Sequence, residues 1–236
     1  MHIALLITNT DFSDFAFARP LDDEKFTRLI QEVRPNWQTT AFWVCKDEFP
    51  QDPKAFDGFL ITGSPASVTD QAPWMTRLEA LVREIIDQSV PLFGACFGHQ
   101  IIAKALGAPI IRNPEGWVHG LVPVERVESA PWSGSVDRFF LYASHIEQVG
   151  ALPDQAKRLF KSRDCEIAGF AIGQTVFTVQ HHPEMTKDFI TDLIDEYADY
   201  VGEDVTHRAR QSVEQSRATR AEFALEMATF FEQARG

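Results

Sequence analysis

Val90-Pro91-Leu92-Phe93-Gly94-Ala95-Cys96-Phe97-Gly98-His99-Gln100 is the stretch on which the fold turns. Its first four residues form a short, continuously apolar run, as expected of a strand buried on both faces. Almost no linker separates that run from an apolar helix expected to end near Gly107, so strand and helix meet in a sharp turn at residues 94–98. Toward the N-terminus, Ile3-Ala4-Leu5-Leu6-Ile7 reads as a second buried strand, followed by a polar loop from Thr8 to Asp14. Phe26, Leu29, Ile30 and Val33 recur at helical spacing, which predicts a helix over 21–33 with one buried stripe. A strand around 40–44 follows. After a turn at Asp57-Gly58 come the strand Phe59-Leu60-Ile61-Thr62, a Gly63-Ser64-Pro65 break, and a helix carrying Leu78, Leu81, Val82 and Ile85. Strands alternating with helices in this way imply a mostly parallel sheet with right-handed crossovers.

The second half changes character. Strand-like pieces at 121–127 and 139–143 precede a hairpin of Ile167 to Ile172 and Thr175 to Gln180, joined by Gly173-Gln174. From Lys187 the chain is charged and helical, with Phe189, Leu193 and Tyr197 four apart and Phe223, Met227 and Phe230 on one face. Residues 187–236 are therefore expected to form a helical extension packed on a domain spanning 1–186. A solvated arm, or a contact in a homo-oligomer, is the alternative, because Glu203 to Arg220 holds few apolar residues.

With 236 residues, 44% hydrophobic and 24% charged, the chain suits one α/β core and neither a disordered nor a fibrous class. Its 22 Lys and Arg against 34 Asp and Glu leave a net charge of −12, a field that repels phosphate backbones and anionic lipid. Neither nucleic acid nor a membrane is an expected partner. No apolar stretch approaches the roughly 20 residues that span a bilayer, and no basic region followed by a long apolar one opens the chain, so a cytoplasmic location is expected. Cys45, Cys96 and Cys165 are too scattered for a disulfide framework or a CxxC metal site.

Gly94-Ala95-Cys96-Phe97-Gly98 has the form of a nucleophile elbow, whose glycines permit close packing and whose central residue is pushed into the open. At a helix start the sulfur also meets unpaired amide N–H groups and the positive end of the dipole, which favour thiolate. Taken alone, Cys96 reads equally well as an inert small hydrophobe. His182-Pro183-Glu184 weighs against that. Proline keeps His182 extended, and residues two apart on an extended chain share a face, so imidazole and carboxylate lie side by side. A nucleophile, a base and an orienting acid are then all present. By the same alternation His181 points away, as a packing residue. Gly63-Ser64-Pro65 forms a tight loop able to present an amide N–H to a developing oxyanion together with the amide of Phe97; an ordinary turn is the alternative.

Gly94-Ala95-Cys96-Phe97-Gly98-His99-Gln100, followed far along the chain by His182-Pro183-Glu184, resembles the class I (triad) glutamine amidotransferases. The likeness runs from Phe59 to Glu184. It implies a flavodoxin-like α/β core and hydrolysis of the glutamine side-chain amide. Carried over residue by residue, it makes Cys96 the nucleophile, His182 the general base and acid, and Glu184 its partner. Gln100 and the Gly63-Ser64 loop would line the glutamine pocket, which Gly116-Trp117 would complete. Glutamine or a γ-glutamyl small molecule is the implied ligand, and the steps require neither metal nor organic cofactor. Members usually carry Gly-Gly-Pro where this chain has Gly63-Ser64-Pro65; Ser64 keeps the amide, provided its backbone angle is one that a Cβ tolerates. Ser144-His145 echoes a family segment near the site, where a buried structural imidazole is as good a reading of His145 as a catalytic one. His99 reads as a brace for the elbow. Tyr142, Trp117 and the loop from Asn9 to Arg19 form the expected rim, with Phe12, Phe15 and Phe17 anchoring the loop. Cys45 and Cys165 lack a motif and read as structural.

Residues 187–236 are too few for an ATP-using domain and hold no Walker-type loop, so a synthetase receiving ammonia would be a separate subunit. The chain resembles stand-alone members similar to the amidotransferase part of GMP synthase. That group also contains γ-glutamyl peptidases, which need no acceptor. A reading from another class is a regulatory relative that binds a metabolite without turning it over. The joint presence of Cys96, His182 and Glu184 argues against it, because a sensor requires no activated thiol beside an imidazole.

Overall fold

A computed structural model of the chain describes residues 1–234. Strand β1 (His2–Leu6) is followed by a short helix α1 (Asp14–Phe17), then α2 (Asp22–Val33) and β2 (Gln38–Phe42). β3 (Gly58–Ile61) leads to α3 (Pro73–Asp87), and β4 (Leu92–Ala95) runs into α4 (Phe97–Ala105). The second half supplies β5 (Ile110–Arg112), β6 (Val118–Arg126), β7 (Arg138–His145), β8 (Glu147–Val149), β9 (Ala156–Ser162), β10 (Cys165–Ile172) and β11 (Val176–Val179). Helices α5 (Lys187–Glu196), α6 (Ala198–Val201), α7 (Glu203–Gln215) and α8 (Arg220–Gln233) follow.

Nine strands make one sheet in the order β2-β1-β3-β4-β11-β10-β9-β6-β7. The first five are parallel, which is the flavodoxin order with β11 as fifth strand, and the remaining four continue antiparallel. The α/β fold read from the sequence, with its β-rich second half and helical C-terminal part, is the fold the chain adopts. The all-buried run of β4 explains its central place between β3 and β11. The hairpin also forms: β10 pairs antiparallel with β11, and Gly173 takes φ +54 in the turn. One strand lies two residues earlier than expected, at 38–42, because Val44–Lys46 closes into a 3₁₀ turn that buries Val44. β9 was not expected, since Leu159 and Phe160 stand adjacent among charged residues and break the alternation that marks a strand.

Helices α2 and α8 cover one sheet face, and α3 and α4 cover the other. α5 and α7 pack against Leu121 and Tyr142 near the antiparallel edge. The solvated-arm alternative fails for α8, whose Phe223, Met227, Phe230 and Phe231 are fully buried in the same cluster as Phe93, Phe160 and Phe177. Burying four such side chains contributes about 6–12 kcal/mol before entropy is charged against it, as much as the net stability of a whole domain. Glu226, also buried, pairs with Arg126 of β6 and accepts from the Gly134 amide at 2.9 Å, so even the polar side of α8 is tied down. The wide apolar surface of this helix answers to burial around most of its circumference, with Glu222, Leu225 and Glu232 on the exposed stripe. Among the described residues no helix is long and apolar enough to cross a membrane.

Candidate functional site

The turn between β4 and α4 carries the first component. Cys96 sits at φ +51, ψ −106, a conformation that L-residues rarely adopt, and its amide donates to Val179 O at 2.9 Å. Two glycines make this possible by close approach. A Cβ on Gly94 would lie 2.6 Å from the carbonyl carbon of Gly98, and one on Gly98 would run into the Ile61 carbonyl of β3. The Gly98 amide instead donates to Thr62 O at 3.1 Å, which locks the elbow to the end of β3.

The second component lies just beyond β11. His182 forms a β-bridge with Tyr142 and donates its amide to Tyr142 O at 2.8 Å. Its Nδ1 is 2.7 Å from Glu184 Oε1. A carboxylate can only accept, so the ring proton sits on Nδ1 and Nε2 is left free for the Cys96 side. Burial by itself would push this imidazole down; the carboxylate of Glu184 and then the sulfur of Cys96, within hydrogen-bonding reach, outweigh burial and hold it well above its ordinary value. Gly63 makes room for the ring, since a Cβ there would lie 2.8 Å from His182 Cε1 and 3.6 Å from Cys96 Cβ. Gln180 Nε2 approaches the sulfur at 3.7 Å.

The other histidines near this point are buried and held neutral. Burial takes His99 down to about 3, aided by the neighbouring His145. Burial likewise takes His119 and His145 to about 4, and His181 well below its ordinary value. His99 Nδ1 meets Thr178 Oγ1 at 2.8 Å, and His145 Nδ1 donates to Glu147 O at 3.1 Å. His99 lies in the packing beneath the elbow, His145 reaches the wall of the cavity onto which Cys96 opens, and His181, fully buried, packs beside His145 at a ring distance of 5.8 Å.

Cys96, His182 and Glu184 open onto one cavity of about 640 Å³, which Gly63, Ser64, Phe97, Gln100 and Trp117 also line. Among the described residues, neither the Ser64 nor the Phe97 amide has an acceptor within the chain. Ser64 is absent from the positive-φ residues, so its Cβ carries no backbone strain. Thr8 Oγ1 donates to Gly63 O at 2.9 Å and fixes this loop from β1. Gln100 commits its amide nitrogen to Glu147 O at 2.8 Å and Gln180 Oε1 at 3.1 Å.

Some expected residues lie elsewhere. Gly116 takes φ +86 in the turn before β6 and lies outside the cavity wall, which only its neighbour Trp117 reaches. Tyr142 is not on the rim; its side chain is buried and its backbone carbonyl serves His182. Asn9, Asp11 and Phe15 do face the cavity, but of the three loop phenylalanines only Phe15 packs inward, on Phe189, whereas Phe12 and Phe17 stack together exposed. Cys45 donates to Asn9 O at 3.2 Å, and burial pushes the Cys165 thiol up to about 12. Sequence reasoning missed Ser67, Arg112, Glu147, Tyr197 and Tyr200 as lining residues. They come from the loop after β3, β5, β8, the junction of α5 with α6, and α6, with no shared motif, although Tyr197 was visible as the end of a helical stripe.

The family model for class I glutamine amidotransferases matches residues 26–189. The chain belongs to the class I glutamine amidotransferase family. A glutamine amidotransferase-like protein of Schizosaccharomyces pombe is 31% identical over 211 residues, 82% of this chain and 83% of that protein. Gamma-glutamyl peptidase 3 of Arabidopsis thaliana is 29% identical over 179 residues, 72% of this chain and 71% of its own length. A glutamine amidotransferase of Thermotoga maritima has the same fold, with a TM-score of 0.78 at 24% identity, covering 99% of this chain and 97% of that one. Members of this amidotransferase family that resemble the chain thus include both named amidotransferases and a γ-glutamyl peptidase.

Proposed function

We propose that the chain hydrolyses the γ-amide of glutamine or of a γ-glutamyl compound through a thioester on Cys96. The observation that carries this reading is the 2.7 Å contact of His182 Nδ1 with Glu184 Oε1 on a ring that faces the sulfur at the elbow. In the first step Cys96 Sγ bonds to the amide carbon, and the carbonyl electrons move onto oxygen, where the amides of Phe97 and Ser64 receive the negative charge. Collapse of that adduct breaks the C–N bond, and the proton held on His182 goes to the departing amine. Water then gives its proton to His182 as it attacks the thioester, and glutamate leaves as the sulfur regains its electron pair. Glu184 keeps the ring in one tautomer and stabilises its cation at each turn of the cycle.

The size of the cavity, about 640 Å³ and reaching Tyr200 on α6, favours an amide whose leaving amine is larger than ammonia. On that reading no ammonia acceptor is required. The runner-up keeps free glutamine as substrate and passes ammonia to a separate synthetase chain. A cytoplasmic location, where thiols stay reduced, suits a free cysteine nucleophile. Ammonia release from glutamine should be measured beside amine release from γ-glutamyl amides. Cys96→Ala is expected to lower turnover by at least about 10⁴-fold on whichever substrate wild type cleaves. Undiminished turnover in that variant would overturn the proposal, and preference for glutamine would select the runner-up.

A further inference from the structure

The residue that opens α8 reaches the segment that carries His182 and Glu184. Arg220 Nε donates to Pro183 O at 3.2 Å, and its terminal nitrogen lies 3.3 Å from Glu32 Oε1 on α2. Its base is rigid: Thr219, one residue earlier, donates its amide to Phe140 O at 2.9 Å, and its hydroxyl accepts from the Phe140 amide at 2.9 Å. The helix that follows is the one buried in the core.

The acceptor matters because of where Pro183 stands. Between the α-carbons of His182 and Glu184 only a few torsions are soft. The proline ring locks its own φ, and its Cδ restricts the residue before it. The ψ of Pro183 is the soft torsion that remains between the two α-carbons, and a planar peptide turns as a unit with its carbonyl. A guanidinium on that carbonyl therefore pins the torsion that carries the carboxylate. Little else does so. Glu184 is 3% exposed, and its Oε2 has no hydrogen-bond partner among the described residues, so the His182 ring is the side chain's one polar contact. The backbone has to hold the acid in place.

We propose that Arg220 is a positioning residue that clamps the Pro183 peptide and thereby keeps Glu184 on His182. The proposal rests on the reading of Cys96, His182 and Glu184 as the hydrolytic triad. Arg220 contacts no reacting atom; it lines, with Glu184, a crevice of about 80 Å³ that adjoins the main cavity through Pro20, Lys25, Glu184 and Phe189. Through it α8 and α2 become part of the apparatus that orients the imidazole. The groups that face His182 are Glu184 beside it, Cys96 at the elbow, and the neutral imidazoles of His119 on β6, His145 on β7 and His181. Those that face Arg220 are Glu32, Lys25 and Arg28 on α2, Glu184 across the shared crevice, and Tyr142 on β7. Loosening Glu184 thus removes support from the imidazolium, and through it from the thiolate.

Two readouts test this on the full chain. In steady-state kinetics, Arg220→Met is expected to lower kcat about 10- to 100-fold with KM within about twofold, the size of a small misplacement away from the chemistry. Arg220→Lys, which can still donate to one carbonyl, should regain part of the loss. Independently of turnover, alkylation of Cys96 by iodoacetamide across pH, read by mass spectrometry, should have its midpoint moved upward by about half a unit or more in Arg220→Met. If that variant does not fold, Glu32→Gln, which frees the guanidinium but keeps its donor, should shift the midpoint in the same direction by less. Folded variants with a wild-type alkylation profile would overturn the proposal, as would a change confined to KM. Because the alkylation profile needs no substrate, it judges Arg220 even if the hydrolytic reading fails, and that failure appears separately as turnover surviving in Cys96→Ala.

Discussion

At Gly63 a single hydrogen in place of a methyl group decides whether His182 can sit where it does. A Cβ would lie 2.8 Å from His182 Cε1, nearer than side-chain atoms normally come, and the ring is held at Nδ1 by Glu184. Gly63→Ala is therefore expected to displace the imidazole while leaving β3 intact. The amide donors of the loop stay in place, so the loss should fall on kcat, by about 10²-fold, with a melting temperature close to wild type. Unchanged kcat in that variant would mean the ring tolerates a shift that the packing around it forbids. The same scale shows what could be read from sequence. The elbow glycines, Cys96 and His182-Pro183-Glu184 are local words, each recognisable within a few residues. Arg220 is not, because its partner Pro183 and its counterion Glu32 lie far off along the chain, and nothing beside it marks the contact.

Among the elements, α8 bears most on stability for its length. Phe230 is fully buried and packs on Trp132 and Phe177, with ring distances of 4.9 Å and 5.6 Å. Phe230→Ala should destabilise the chain by about 3–5 kcal/mol, the range for emptying a buried aromatic site. Denaturant unfolding would measure it, and a loss below about 1 kcal/mol would show that the helix does not hold the sheet. β1, β3 and β4 were legible as continuous apolar runs, and α2 and α3 by one helical period each. β5, β8 and β9 were not, since they are short or charge-rich and owe their strand form to the neighbours they pair with. The apolar face of α8 was visible, but its depth in the core follows from tertiary packing against β-strands that no local pattern reveals.

At the level of the whole molecule, the buried histidines set the response to acid. His99, held down to about 3, and His119 and His145, held down to about 4, bind a proton in the unfolded chain at pH values where the fold keeps them neutral. The unfolded state thus carries more protons below pH about 6.5, and stability falls by about 1.4 kcal/mol per unit for each such ring. His182 works the other way: its raised value adds stability that is complete below about 6.5 and lost as pH climbs through the folded value. Four depressed rings, with His181 the fourth, against one raised ring give a net loss on acidification. Calorimetry from pH 7 to pH 5 should record a falling melting temperature, and His145→Phe should flatten that slope; a flat wild-type profile would show that these rings admit solvent.

The burial that holds Cys165 protonated has a consequence under oxidative stress. A small peroxide entering the cavity would convert the sulfur of Cys96 to a sulfenic acid, and rescue by an internal disulfide would require a neighbouring thiolate as attacking group. Cys165, pushed up to about 12 by its surroundings, cannot supply one at neutral pH. Recovery would then depend on a diffusible reductant such as a low-molecular-weight thiol, so that the redox state of the cell, rather than the chain itself, governs how long the damage lasts.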